Sequence, residues 1–117
     1  MKIIDSKNVE IQGAAAMHLG DVKRQLLVGE GDSDVILAMV RWGANSRTKW
    51  HTHTVDQIMY FTEGEGIVAN EREENVLTPG MIAVVPAGEK HWHGGTKTTG
   101  CAHLAVMLVS HESQILE

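Results

Sequence analysis

The chain has 117 residues, 43% of them hydrophobic and 21% charged, which suits one compact domain and leaves no material for a second core. Ten basic against fifteen acidic side chains give a net charge of −5, no basic run follows a phosphate backbone, and only 4% aromatic residues are present to stack on bases, so nucleic acid is excluded as the expected partner. No stretch approaches the ~20 apolar residues of a membrane helix, and Asp5 interrupts the start before a signal-peptide core can form, so a cytoplasmic protein with no membrane partner is expected.

Residues 1–20 carry little periodicity and are expected to be loosely organised at the front of a single domain spanning 1–117. Runs of strand length rich in Val, Ile, Leu and Met follow at Val22–Val28, Val35–Trp42, Gln57–Thr62, Gly66–Asn70, Met81–Val85 and Cys101–Val109. Turn-forming clusters separate them, among them Gly29-Glu30-Gly31-Asp32-Ser33, Glu63-Gly64-Glu65-Gly66, Asn70-Glu71-Arg72-Glu73-Glu74-Asn75 and Thr78-Pro79-Gly80. These polar breaks interrupt any 3.6-residue period, so the chain reads as all-β, with antiparallel hairpins closing into a barrel or sandwich. Val35–Val40 and Cys101–Val109 are apolar on both alternating faces, as in strands that line an interior and also pack outward on another sheet or subunit.

Cys101 is the only cysteine, which rules out an internal disulfide and a thiolate cluster, so any metal must be held by nitrogen and oxygen. Five of the seven histidines lie in His51-Thr52-His53, His91-Trp92-His93 and at His103. On a strand, residues two apart share a face, which places the imidazoles of His51 and His53 side by side. Gln57 offers a neutral amide oxygen four residues on, and His91 follows the Pro86-Ala87-Gly88 turn that can swing a third imidazole inward. His93 shares the direction of His91 if the backbone stays extended, although Gly94-Gly95 reads as a turn. His103 shares a strand face with Cys101, Ala105 and Met107, where a histidine is either a satisfied core residue or a pocket base. Trp50 and Trp92 read as packing residues.

Gly43, His51-x-His53-x3-Gln57-x6-Gly64 and Gly80-x5-Pro86-x-Gly88-x2-His91 together resemble the two motifs of the cupin superfamily. Two departures stand out: seven residues rather than five separate Gly43 from His51, and Gln57 stands where most cupins carry Glu. Arg47-Thr48-x-Trp50-His51-Thr52-His53, Gly88-Glu89-Lys90-His91-Trp92-His93-Gly94 and His103-Leu104-Ala105 are similar to the small single-domain cupins that include manganese-dependent bacterial hydroxynitrile lyases, a subgroup also described as carboxymuconolactone-decarboxylase-associated.

The resemblance implies an RmlC-like jelly-roll β-barrel with a divalent transition metal on His51, His53, Gln57 and His91. Manganese or iron is expected there, and nickel, zinc and copper suit similar shells. It further implies a substrate pocket at Ala38, Val40, His93 and Met107, His103 as acid/base, and a homodimer or homotetramer into whose partner the N-terminal segment crosses. Three neutral imidazoles and a neutral amide leave the ion's charge uncompensated, which favours Lewis-acid work on a small-molecule substrate. A lyase of the hydroxynitrile lyase type is the leading expectation; a dioxygenase of small organic acids or aromatic compounds and a non-catalytic metabolite-binding cupin are the alternatives.

Overall fold

The computed structural model describes residues 1–117. After one 3-10 turn at Ser6–Asn8 the chain forms β1 (His18–Leu19), β2 (Val22–Val28), β3 (Val35–Trp42), β4 (Arg47–Thr48), β5 (His51–His53) and β6 (Gln57–Gly64). There follow β7 (Gly66–Asn70), β8 (Glu74–Leu77), β9 (Ile82–Val85), β10 (His91–Gly95), β11 (Cys101–Leu108) and β12 (Ser113–Ile115). No helix is long and apolar enough to cross a membrane.

All pairings are antiparallel and fall into two sheets. One has the order β2-β3-β11-β6-β9; in the other, β10 pairs with β4, β5 and β7, while β1 extends β4, β12 extends β5 and β8 extends β7. The expected all-β barrel is what the chain forms. Its core follows from period-two alternation: along β6, Gln57, Met59 and Phe61 are buried, whereas Ile58 and Tyr60 are exposed. Register then aligns Val40, His103 and Phe61 across β3, β11 and β6, so three strands contribute one row of inward side chains. Met59 and Phe61 are fully buried, each removing enough apolar surface to stabilise the fold by roughly 1.5–3 kcal/mol.

The six predicted runs coincide with β2, β3, β6, β7, β9 and β11 within two residues at either end. Two findings differ from the sequence reading, at Asn70–Asn75 and at Gly94-Gly95. Asn70–Asn75 is not wholly a loop, because Glu74 and Asn75 open β8, which pairs residue by residue with β7. Gly94-Gly95 is not a turn: both residues stay extended in β10, and a Cβ at Gly94 would collide with the backbone oxygen of Ser46, so glycine serves close approach of two strands there. The N-terminal segment, in this single chain, lies along its own β2. Gln12 bridges Arg24, the Arg24 Nε donates to the Gly13 carbonyl at 2.9 Å, and the Gln25 amide donates to the carbonyls of Ser6 and Val9.

Candidate metal centre

Short strands with fixed ends bring the histidines together. β5 pairs with β10 at His51 opposite His91, and with β12 at His53 opposite Ser113. β6 begins at Gln57, which faces the same interior from the other sheet. The rings of His51 and His91 have centroids 4.2 Å apart, those of His51 and His53 4.7 Å, and those of His53 and His91 5.4 Å. All four side chains are buried, and no Asp or Glu is among the buried polar residues.

Each of the three imidazoles is held from behind in the same way. His51 Nδ1–H donates to the Lys49 carbonyl at 2.7 Å, His91 Nδ1–H to the Glu89 carbonyl at 2.9 Å, and His53 Nδ1 bonds Ser113 Oγ at 2.6 Å. A carbonyl only accepts, so the tautomers of His51 and His91 are fixed with the Nε2 lone pair free. The Nε2 atoms of His51 and His53 are buried with no partner. His91 Nε2 instead faces Gln57 Oε1 at 3.2 Å, two acceptors that repel unless a cation lies among them. Outer hydrogen bonds that fix ring and tautomer are what metal-ligating histidines require. The four residues therefore fit a divalent cation of borderline or hard character.

The histidines whose ligand atoms all lie within 4.8 Å of one another are His51, His91 and His93, a group that does not include His53. His93 lacks the outer anchor: its Nδ1 is buried without a partner, and only its backbone N–H is held, by Thr48 Oγ1 at 3.1 Å. That distinguishes His93, as a free imidazole beside the centre, from the three anchored ones. Burial, followed by the neighbouring histidines, holds its pKa well below the usual range. Burial likewise lowers His51 to about 4 and His53 to about 3, so these nitrogens are unprotonated at neutral pH.

His103, the acid/base that the resemblance implies, is fully buried, and its Nε2 accepts a hydrogen bond of 2.9 Å from the indole Nε1–H of Trp42. Indole is a donor only, so His103 is held as the neutral Nδ1–H tautomer, and that Nδ1 is buried with no partner. Its ring lies 5.4 Å from that of His93 and 4.9 Å from Phe61.

The expected pocket residues also separate. Val40 is buried within the core cluster and Ala38 packs against that cluster, while Met107 is half-buried further along β11. None of the three lines the cleft of about 470 Å³ that opens between β8 and β9 and has His91 among its lining residues. Trp42 and Ser113 carried no local signal: each acts on a histidine about sixty positions away in the chain. Trp50 and Trp92 pack under the cations of Lys90 and Arg47, at 5.1 and 5.5 Å.

A family model for the cupin domain matches residues 38–107, which contain every residue of this centre except the outer anchor Ser113. This chain belongs to the cupin family. The (R)-mandelonitrile lyase of Granulicella tundricola is 35% identical over 99 residues, covering 81% of this chain and 74% of that one. A 46-residue stretch is 37% identical to the acireductone dioxygenase of Parasynechococcus marenigrum, covering 36% of this cupin and a quarter of the relative, 25%. Among solved structures, a cupin-like protein from Thermotoga maritima superposes with a TM-score of 0.84 at 21% identity over 99% of this chain and 89% of its own, which speaks for the barrel alone.

Proposed function

We propose that this cupin is a metal-dependent lyase of small carbonyl adducts, of the hydroxynitrile lyase type, with manganese or iron on His51, His53, Gln57 and His91. The observation that carries the reading is the donor set of three anchored neutral imidazoles and a neutral amide, in a chain 35% identical to a mandelonitrile lyase. A divalent ion on those residues would supply Lewis acidity, making a bound hydroxyl easier to deprotonate. His93, whose Nδ1 is buried without a partner and whose ring, unlike that of His103, accepts no hydrogen bond from an indole, takes the hydroxyl proton as the carbon–cyanide bond breaks, and returns it to the departing cyanide. Trp42 and His103 form the neutral wall behind it. With no carboxylate buried nearby, nothing in the protein competes with an anionic leaving group.

The test is cleavage of mandelonitrile to benzaldehyde and cyanide by manganese-loaded protein. His93→Ala is expected to retain metal and lose about 10²-fold or more in rate, the usual worth of a positioned acid–base group. His103→Phe is expected to cost less. A larger loss in His103→Phe than in His93→Ala would return the proton to His103, and no cleavage by fully loaded wild type would end the lyase reading. The 46-residue likeness to a dioxygenase supports the second reading, which oxygen consumption would reveal.

We infer that the working unit is a homodimer or homotetramer. The outward face of the β2-β3-β11-β6-β9 sheet carries Ile58, Tyr60, Ile82 and Val84 with exposures of 42, 44, 56 and 63%, adjoined in register by Leu104 and Val106. A contiguous apolar face of that kind supports burial against a second copy. Sedimentation at micromolar concentration is expected to give a multiple of the 12.8 kDa chain mass; a single-chain mass would overturn it.

A further inference from the structure

A neutral imidazole carries one ring proton, and the nitrogen that holds it decides whether a histidine offers its surroundings a donor or an acceptor. At His103 that choice is made by another residue. Trp42 ends β3 with its side chain buried, and its indole N–H, which can only donate, reaches His103 Nε2 at 2.9 Å, so the ring proton stays on Nδ1. The indole and imidazole planes are 24° apart, and Phe61 packs on the imidazole at 4.9 Å. Turning the ring over would break the indole bond inside a filled core.

The proton placed in this way has no acceptor in the protein. His103 Nδ1 is buried without a partner, and the adjoining Leu104 backbone comes near it but falls short of hydrogen-bond geometry. A buried donor left unpaired is costly, which points to a group outside the chain that completes it. His93 presents a second such nitrogen: its Nδ1 is also buried without a partner, on a ring 5.4 Å from His103 and edge-on to it. Trp42 packs edge-on against His93 as well, at 5.6 Å, so one indole touches both imidazoles and hydrogen-bonds only one. No Lys or Arg is among the buried polar residues, so no cation of the protein is there to hold a negative atom in place of that N–H.

We propose that Trp42 is a positioning residue: by fixing His103 as the Nδ1–H tautomer it gives the centre a hydrogen-bond donor for an acceptor-only atom of the ligand, an anionic nitrogen or oxygen, and leaves proton uptake to His93. The donor role rests on Trp42, His103 and the two unpartnered nitrogens. Naming the acceptor as the departing anion of the reaction rests on the lyase reading.

The test uses zinc-loaded protein labelled with nitrogen-15 histidine, in which long-range proton–nitrogen correlations report each tautomer, and azide, a small anion that only accepts hydrogen bonds. In the wild type His103 is expected as Nδ1–H. Trp42→Phe keeps a ring in the core and removes the indole donor, so Nε2–H should appear. If Nδ1–H falls to about a third of the population, azide affinity falls about threefold. The second pair of variants leaves Trp42 alone. An Asn amide nitrogen occupies the place of Nδ1 and a Gln amide nitrogen that of Nε2, and neither side chain takes up a proton. His103→Gln is expected to weaken azide about tenfold, the usual worth of one hydrogen bond, and His103→Asn to recover most of that loss. Zinc content and melting temperature report whether each variant is folded, and the His103 pair decides if Trp42→Phe is not. A wild-type proton on Nε2, a tautomer unchanged in folded Trp42→Phe, equal losses in the Asn and Gln variants, or no azide binding would each overturn the proposal. The expected azide ratios without mandelonitrile cleavage keep the positioning role and remove the lyase; cleavage with the His103 proton on Nε2 keeps the lyase and removes the positioning role.

Discussion

His51→Ala is expected to reduce bound divalent metal to background and to abolish the rise in melting temperature that added metal gives the wild type. His51 is fully buried at the middle of the centre, opposite His91 in register and closest to both other imidazoles. Without it the remaining donors cannot surround an ion. A ligand bound only by the native state stabilises by RT ln(1+[L]/Kd), about 2.7 kcal/mol at a hundred times Kd, and that increment should vanish in the variant. Ser113→Ala is the finer measurement. It leaves every donor in place and removes only the 2.6 Å partner of His53 Nδ1, so affinity should fall about 10- to 100-fold, as for other outer partners of metal-bound histidine. Elemental analysis and calorimetric titration of wild type and both variants read these effects. Undiminished metal content in His51→Ala would remove that residue from the centre.

The sequence made the inner half of this arrangement legible and hid the outer half. His51 and His53 lie two apart on a strand, so elementary alternation puts both imidazoles on one face, and Gln57 and His91 each open a later strand, β6 and β10, that reaches them. The anchors are different in kind. Lys49 and Glu89 contribute backbone carbonyls, which any residue could supply, and Ser113 reaches His53 only because β12 adds to the edge of β5. A polar Ser-Gln-Ile segment gives no local sign of being a strand. Trp42 escaped for the related reason that its indole meets His103 across two strands whose register is set globally. Gly94-Gly95 misled because glycine signals both turns and close strand approach, and only the neighbouring Ser46 backbone decides between them.

Acid should unfold the metal-free protein well above the range in which carboxylates protonate. Burial, the largest cause in each case, lowers His18, His51 and His103 to about 4 and His53 to about 3, and it also lowers His91 and His93. In the unfolded chain all six return to ~6.5. Between pH 6.5 and pH 4 the unfolded state therefore binds protons that the native state refuses. Stability must fall as pH falls through that window, each unit of proton imbalance contributing about 1.4 kcal/mol per pH unit. Above ~6.5 both states are neutral at these positions and the dependence disappears. Urea midpoints of chelator-treated protein at pH 7, 6, 5 and 4 are expected to decline steadily, and a midpoint constant from pH 7 to pH 5 would contradict the burial of neutral imidazoles. Metal raises the whole curve without changing its slope in that window, because the native nitrogens that would hold the ion are already unprotonated there and protons compete for them only from about pH 4 downwards. His53→Asn should flatten the metal-free curve by removing one of the most strongly shifted groups, and should erase the rise that metal gives by removing a donor. A variant that flattened the metal-free curve and left the rise intact would show that His53 is a buried base with no part in holding metal.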